Sequence, residues 1–582
     1  MKNKSRQNGN THRFNRRFFD PARGYSLIGN GELGGKASGL AGIQEFLERE
    51  IDGSDFPGIS VSIPAMTVLT TAVFDNFMAQ NNLYDAALSE TDDRQIALAF
   101  QNGDLPANIV GDLWALISEV KTPLAIRSSS LMEDSLFQPL AGIFETKMIP
   151  NNQFEPQTRF RKLVEAVKLV YASTFFQNAK QYFSAIRQDL AQEKMAVIIQ
   201  EVVGNRYGGR FYPVISGVAR SYNFYPAGQA RPEEGVVLLA LGLGKTIVDE
   251  GMGWSYSPEF PHLQPPFNSA QDLLKNTQTR FWAVNMEKMH YFDPINEAEY
   301  LLREDLKTAE QDRVLKYISS TYDPSADRLY PGVFGNGPRA LTFAPLLQME
   351  QFPLNSLLKK LLWVSEKALG THVEIEFAVK VSDEDPKLLK LGFLQVRPMV
   401  VSGETVQVSP QEMDSPSALL ASRQVLGNGM NDQIRDVVYV KPDVFDPAHS
   451  AEIAKEIETL NSRLVAEEKP YLLMGFGRWG SRDPWLGIPV NWGQIAGAKV
   501  IVESTLPEMN VDLSQGSHFF HNITSFRVSY FSVRHSGPFR IDWEWLEHQE
   551  VAAEKEFVKH VVLAAPLTVK VDGRESKGVI LK

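Results

Sequence analysis

Short apolar runs rich in β-branched residues alternate with stretches of helical periodicity along most of this chain. PLAIRSSS, KMAVIIQEVV and GVVLLALGLG have the length and composition of strands. LNSLLKKLLWVSEKALG repeats its leucines every three or four positions, which predicts an amphipathic helix with Gly370 as its C-terminal cap. This alternation is typical of α/β architecture, and 582 residues suffice for about three or four domains. The sequence therefore predicts a multidomain α/β (α+β) protein.

Composition narrows the class of protein further. Hydrophobic residues make up 43% and charged residues 22%, which predicts a folded globular chain rather than a disordered one. No apolar run reaches the ~20 residues of a membrane-spanning helix. A net charge of −11 argues against a nucleic-acid partner, and the absence of cysteine excludes disulfides and favours a reducing compartment. We therefore expect a cytoplasmic protein without membrane or nucleic-acid partners, and its oligomeric state stays open.

Three changes in composition divide the chain. Residues 1–20 carry six basic side chains before the first acid, which indicates a disordered tail or, as the alternative, a transit peptide. Polar text rich in Ser, Pro and Gly predicts a linker at 402–431. Residues 432–582 then form a separate α/β unit of unknown role.

A glycine-rich turn follows the first short strand. GNGELG at 29–34 matches the dinucleotide pattern, but the acid expected about 20 residues later is missing, so an NAD-dependent oxidoreductase is a remote alternative. A P-loop also fails, because Gly35-Lys36 is followed by Ala37. Small residues at a helix start with a lysine suit a polyphosphate, which makes Gly34, Gly35 and Lys36 candidate ligands. A tight turn with a surface lysine is the competing interpretation.

A second candidate loop begins at IRSSS. Arg127 offers a permanent cation, and the hydroxyls of Ser128, Ser129 and Ser130 can donate hydrogen bonds to anionic oxygens. Such a loop could close over a nucleotide. The alternative is a capping loop in which a serine caps a turn containing Glu133 and Asp134.

Two further segments, THVEIEFAV and LGFLQVRPMV, read as paired strands. Alternation places Glu374 and Glu376 on one face, roughly 7 Å apart, a spacing at which carboxylates can hold Mg²⁺ between phosphates. Gln395 and Arg397 share a face of the second strand, although the register between the strands stays open. An exposed hairpin with a Glu/Arg pair is the alternative interpretation.

Taken in order, these motifs resemble a known family. GGKASGL, AIRSSSLMEDS, LAGIFET, YASTF, MAVIIQEVV, ISGVA, ALGLGKTIVDEG, VEIEF and LQVRP resemble the N-terminal ATP-binding region of pyruvate phosphate dikinase and phosphoenolpyruvate synthase, over about Gly29 to Pro398. The resemblance implies an ATP-grasp fold with an N-terminal lobe at 21–215 and a C-terminal lobe at 216–401. It also implies ATP and Mg²⁺ as ligands.

The resemblance assigns roles to individual residues. Lys36 and Arg127 would contact ATP phosphates, with Gln200 in the nucleotide cleft and the serines in the covering loop. Glu374 and Glu376 would bind Mg²⁺, while Gln395 and Arg397 would complete the phosphate site. The residues expected to act in catalysis are Lys36, Arg127, Arg397 and His518.

Three departures from the family limit this transfer. Lys245 stands in GLGK, where the family commonly has an acid, and is expected to contact phosphate or to mark lost catalysis. Glu374 replaces the usual Asp. The family's phosphohistidine domain and its pyruvate-binding barrel are not recognisable in this sequence.

The acceptor of a phosphoryl group is therefore open. His518, in SQGSHFFHN, is the first candidate and His521 the second, because small neighbours let a phosphate approach the imidazole. A phosphohistidine domain on another chain or a small molecule are alternatives. The sequence thus predicts a Mg-dependent phosphotransferase of the dikinase type, and an ATP-binding regulator or scaffold without turnover is the second hypothesis.

Overall fold

The structure is a computed structural model. It describes residues 13–16, 25–89, 91–133, 142–186, 188–224, 226, 229–250, 253–263, 273–274, 277–289, 292–385, 387–399, 401, 406–481, 485–507, 509 and 528–582. Its α-helices span Gly34–Glu50, Thr71–Gln80, Tyr84–Leu88, Asp93–Asn102, Ala107–Glu119, Pro156–Ser173, Gln177–Ala185, Leu306–Gln311, Ala344–Leu347, Leu354–Leu369, Pro410–Met413, Ser450–Ala466 and Trp543–Glu547. Within these ranges, no helix has the length and apolar character needed to cross a membrane.

A five-stranded sheet, sheet A, lies in the N-terminal part of the chain. In spatial order its strands are Tyr25–Ile28, Met66–Leu69, Met195–Glu201, Leu124–Ser130 and Thr146–Ile149. The first two strands pair in parallel and the other neighbours are antiparallel. The sheet packs against several helices, and residues such as Phe74, Leu113 and Leu163 form one apolar core with Ile126.

A six-stranded sheet, sheet B, follows. In spatial order its strands are Trp254–Tyr256, Val236–Ala240, Ile215–Arg220, Val373–Val381, Leu389–Pro398 and Ile59–Ser62. The last pair is parallel and the others are antiparallel. Two smaller sheets follow. The first has four strands, Asn205–Tyr207, Arg210–Tyr212, Arg280–Asn285 and Leu301–Asp305, and the second has three, Ser319–Asp323, Arg328–Pro331 and Arg339–Leu341.

The core of sheet B includes residues from the start of the chain. Leu40 of helix Gly34–Glu50 lies in the same buried cluster as Leu357 of helix Leu354–Leu369. The strand Ile59–Ser62 pairs with the C-terminal strand of the sheet. A division at 215/216 therefore does not separate the two sheets, because an early helix and strand cross into sheet B before the chain returns to sheet A.

A nine-stranded sheet, sheet C, forms the C-terminal unit. In spatial order it contains Ala418–Ser422, Lys577–Leu581, Val558–Asp572, Gly429–Val440, Tyr471–Phe476, Ala498–Ser504, Ser529–Val533 and Val425–Leu426, with Glu550–Glu554 beside the third. The run from Gly429–Val440 to Ser529–Val533 is parallel. A separate two-stranded sheet joins Arg478–Trp479 and Gly487–Ile488.

Described residues within the predicted linker and the predicted tail have defined structure. Strands at 418–422 and 425–426, and the start of a third at 429, occupy much of the predicted 402–431 linker. Their apolar runs are short and lie among Ser, Pro and Gly residues, so the local composition does not indicate strands. Pairing within sheet C buries them. In the predicted tail, Phe14 is buried and its N–H donates to the Leu27 carbonyl at 2.8 Å. Apolar burial of one aromatic residue fixes this short segment.

The C-terminal unit is docked on the unit built around sheet A. Gln181 and Gln494 both donate side-chain hydrogen bonds to the Glu458 carboxylate, the second at 3.0 Å. A Cβ on Gly493 would lie 2.4 Å from the Gln181 Cβ, so the two surfaces meet closely. The buried apolar cluster of sheet A continues into residues of sheet C such as Val438 and Tyr471. The two units therefore share a core.

The helix predicted from leucine periodicity is confirmed and tests this packing. Leu357 is fully buried, so Leu357→Ala should lower the free energy of unfolding by about 2–5 kcal/mol through lost burial and a residual cavity. Ser356→Ala, at the exposed neighbouring position, should change it by less than about 0.5 kcal/mol. Chemical denaturation measures both, and equal effects would contradict the assigned buried face.

Candidate functional site

Arg127 connects the two main sheets. It lies on the strand Leu124–Ser130 of sheet A, and its Nη1 donates to the Leu394 carbonyl of sheet B at 2.9 Å. Its Nη2 donates to Gln395 Oε1 at 2.8 Å, and Nη1 donates to Gln200 Oε1 at 3.3 Å. Its side chain is only 12% exposed. The Arg127 guanidinium therefore contacts two other predicted site residues, Gln200 and Gln395.

The register left open by the sequence is now defined. Glu374 lies opposite Arg397, and Glu376 lies opposite Gln395, with a bulge only after Glu376. Both acids consequently occupy one face, as alternation predicts. Arg127 Nη2 is 3.5 Å from Glu376 Oε2, which brings the sheet A cation onto the same row of side chains.

The two carboxylates have different environments. Glu374 is 1% exposed, and its oxygens form ion pairs with Arg220 Nε, at 2.5 Å, and with Arg397 Nη2. Glu376 is 21% exposed, and within the described part of the chain its ion pair is the looser one with Arg127. A Mg²⁺ ion needs accessible carboxylate oxygens, so Glu376 fits this requirement and Glu374, held between two guanidiniums, does not. The described residues contain no cluster of three or more His, Cys, Asp or Glu suited to a metal.

Lys36 forms a second polar group beside this row. It lies in the first turn of helix Gly34–Glu50, and its Nζ is 2.7 Å from Glu133 Oε1 and 3.2 Å from Ser128 Oγ. Ser128 Oγ in turn donates to the same Glu133 carboxylate at 3.0 Å, and the Ser130 N–H donates to it at 2.9 Å. The Lys36 charge is thus balanced by the buried Glu133. The sequence analysis considered Glu133 only as part of a turn capped by a serine.

The serines and glycines hold this turn against the helix start. Ser129 Oγ accepts from the Ala37 N–H at 3.1 Å and donates to the Leu33 carbonyl at 2.8 Å. A Cβ on Gly34, whose φ is +71°, would lie 1.7 Å from the Ser129 carbonyl oxygen, and one on Gly35 1.5 Å from that of Glu133. Ser128, Ser129 and Ser130 therefore lie buried in a strand rather than in a covering loop, and the glycines permit close main-chain packing.

Glu193 supports the same turn from the other side. Its Oε1 accepts from the Leu131 N–H at 3.0 Å. Burial raises the pKa of Glu193 to about 7, and the nearby Glu133 carboxylate adds to this, against opposing hydrogen bonds from Ser130, Leu131 and Met132. The turn that carries Glu133 therefore rests on an acid that titrates near neutrality.

The remaining candidates from the sequence are Lys245, His518 and His521. Lys245 Nζ is 3.3 Å from Glu297 Oε2. His518 and His521 fall outside the described residues. The sequence analysis missed Arg220 and Glu193. Arg220 directly follows the ISGVA motif, but only the register of sheet B reveals its partner, Glu374.

Cations, amide side chains and a carboxylate that face one another between two sheets are typical of nucleotide-binding proteins. The family model of the pyruvate phosphate dikinase AMP/ATP-binding domain matches residues 30–417, two thirds of the chain, and the chain therefore belongs to this family. The resemblance drawn from the motifs is confirmed. The match ends one residue before the first strand of sheet C, Ala418–Ser422. No curated protein matches the chain.

Gly35→Ala tests the close packing at the helix start. The added Cβ would collide with the Glu133 carbonyl, so we expect a loss of about 1–3 kcal/mol in stability and weaker nucleotide binding. Gly42→Ala is the matched control, because nothing lies within 4 Å of its Cβ position in the same helix. Alanine should raise helix stability there by up to about 1 kcal/mol. Thermal denaturation distinguishes the two, and a neutral Gly35→Ala would contradict the packing.

Glu193 should make stability depend on pH. Because its pKa rises from 4.5 to about 7 on folding, the folded state binds more protons in that window, and stability falls as pH increases through it. Glu193→Gln cannot ionise and should reduce this loss, whereas the exposed Glu233→Gln should not. Denaturation curves between pH 5 and 8 provide the measurement. Identical pH slopes for all three proteins would contradict the burial effect.

Proposed function

We propose that this chain is a Mg-dependent phosphotransferase of the dikinase type, which converts ATP to AMP. The observation that supports this most directly is Arg127, whose guanidinium contacts Gln200, Gln395 and Glu376 between sheets A and B. The family membership supports AMP and ATP as the nucleotides. A permanent cation at this junction suits the charge of a polyphosphate.

Each charged group would have a defined task. Arg127 and Arg397 would bind phosphate oxygens, and Gln200 and Gln395 would orient them by hydrogen bonding. Lys36 would join them after exchanging Glu133 for a phosphate oxygen. Glu376 would hold the metal ion, which when bound supplies charge neutralisation for the phosphates. In this assignment Glu374 orients arginines.

The acceptor completes the balance of the reaction. Conversion of ATP to AMP releases two phosphoryl groups from the nucleotide, so one passes to the acceptor and the other to water or phosphate. The products would then include AMP, a phosphorylated acceptor, and phosphate or pyrophosphate. The proposed acceptors are His518, a histidine on another chain and a small molecule. Lys245 would either contact a phosphate directly or mark a site that has lost catalysis.

A second candidate is an ATP-binding regulator or scaffold without turnover. The observation that favours it is Glu374, because both of its carboxylate oxygens form ion pairs with arginines. Tight ATP binding without any product, with candidate acceptors supplied, would support the regulator. The glycine pair, by contrast, packs against main chain, and no described geometry favours the NAD hypothesis.

A product assay tests the dikinase reaction. Protein incubated with ATP and Mg²⁺ should release AMP, and Glu376→Gln should lower its rate at least about 100-fold because the metal ligand is lost. Glu384→Gln is the matched control, since Glu384 is 81% exposed in the turn of the same hairpin. Chromatography resolves AMP, ADP, phosphate and pyrophosphate. ADP as the sole nucleotide product would contradict the dikinase assignment.

Acid-labile phosphate on the protein tests the acceptor. After reaction with labelled ATP, His518→Ala should lose this label if His518 is the acceptor, whereas His262→Ala at an exposed position should keep it. Label that persists in His518→Ala would exclude His518 and direct attention to His521. AMP formation only on addition of a second protein would point to an acceptor on another chain.

A further inference from the structure

Three charged side chains form a row across adjacent strands of sheet B. Arg220 on Ile215–Arg220 lies opposite Glu374, and Glu374 lies opposite Arg397. The Arg220 Nε donates to Glu374 Oε2 at 2.5 Å, while Arg397 Nη2 donates to Oε1. One carboxylate therefore holds two guanidiniums.

The row is buried. Arg397 and Glu374 are 2% and 1% exposed, and Arg220 is 13% exposed. The row itself contains two guanidiniums and one carboxylate, and a buried cation is stabilised by an anion beside it.

Arg220 also has an unused donor. Its Nη2 is buried and forms no hydrogen bond with the described residues. Native proteins rarely leave such a donor unsatisfied, and a guanidinium matches the oxygens of a phosphate. A phosphate oxygen at this nitrogen would satisfy the donor and place a negative charge beside the guanidinium.

The row lies beside the group of side chains around Arg127. Glu374 and Glu376 are two positions apart on one strand, with no bulge between them, so they share a face of sheet B. Arg127 contacts Glu376 from sheet A. Arg220 is thus placed on the same face as the groups proposed to bind ATP.

We propose that Arg220 is a further phosphate ligand of the nucleotide, and that Glu374 positions Arg220 and Arg397 instead of binding metal. This inference rests on the proposed ATP-binding function. Neither Arg220 nor a positioning role for Glu374 follows from the sequence motifs. Arg220 gives sheet B two phosphate-binding guanidiniums held by one acid.

Nucleotide affinity tests Arg220. Isothermal titration should show that Arg220→Gln weakens ATP binding at least about tenfold, the value of a charge-assisted hydrogen bond, and leaves adenosine binding unchanged because adenosine has no phosphate. Arg49→Gln, at an exposed arginine, should alter neither affinity. Arg220→Lys keeps the charge without the Nη2 donor and replaces Arg220→Gln if the latter does not fold. Wild-type ATP affinity in a folded variant, or equal losses for ATP and adenosine, would overturn the assignment.

The Mg²⁺ dependence of ATP affinity tests Glu374. Titrations with and without Mg²⁺ should show that Glu374→Gln keeps the Mg²⁺-dependent gain in affinity, whereas Glu376→Gln loses it. Loss of the gain in Glu374→Gln would make Glu374 a metal ligand and overturn its positioning role. If the wild-type protein does not bind ATP, the proposed function itself fails. If the wild type binds ATP and Arg220→Gln binds it equally well, only the present inference fails.

Discussion

The contact of Arg127 with sheet B is the interaction on which the site depends. A side chain from the strand Leu124–Ser130 reaches a carbonyl, an amide and a carboxylate of the hairpin that includes Glu376. These contacts join two sheets that also share an apolar cluster, because Val68 of sheet A and Ile375 of sheet B both belong to it. An arginine can do this because its planar group donates in several directions while remaining charged. The Arg127 guanidinium, which joins the two sheets, is also a group proposed to bind phosphate.

Local patterns predicted much of the fold. Leucine periodicity defined the helix Leu354–Leu369, and alternation placed Glu374 and Glu376 on one face. Both depend on periodicities that are properties of the backbone. The strands Ala418–Ser422 and Val425–Leu426, within the predicted linker, were not predicted. They are short and gain stability from partners more than 100 residues away. The composition of a short segment does not indicate pairing with such distant strands.

The candidate site was predicted only in part, because some of its contacts also depend on residues that are distant in the sequence. The sequence singled out Arg127, Gln395 and Arg397 as candidate phosphate ligands, through their residue type and through the resemblance to the family. The roles of Glu133, Glu193 and Arg220 depend on three-dimensional neighbours: a lysine on a helix start, a buried turn and a carboxylate on the next strand. The family motifs likewise give no indication that Glu374 is enclosed by two guanidiniums.

The shared core between sheets A and C determines how the chain can be divided. The family match ends at residue 417, which makes the preceding region look like a self-contained module. Yet helix Gln177–Ala185 packs on the C-terminal unit, and one apolar cluster runs through both. Cutting the chain at this point would expose apolar surface on both fragments and favour their aggregation. The matched region and the sheet C unit therefore share buried surface, and a change on either side of it is expected to alter the stability of the other.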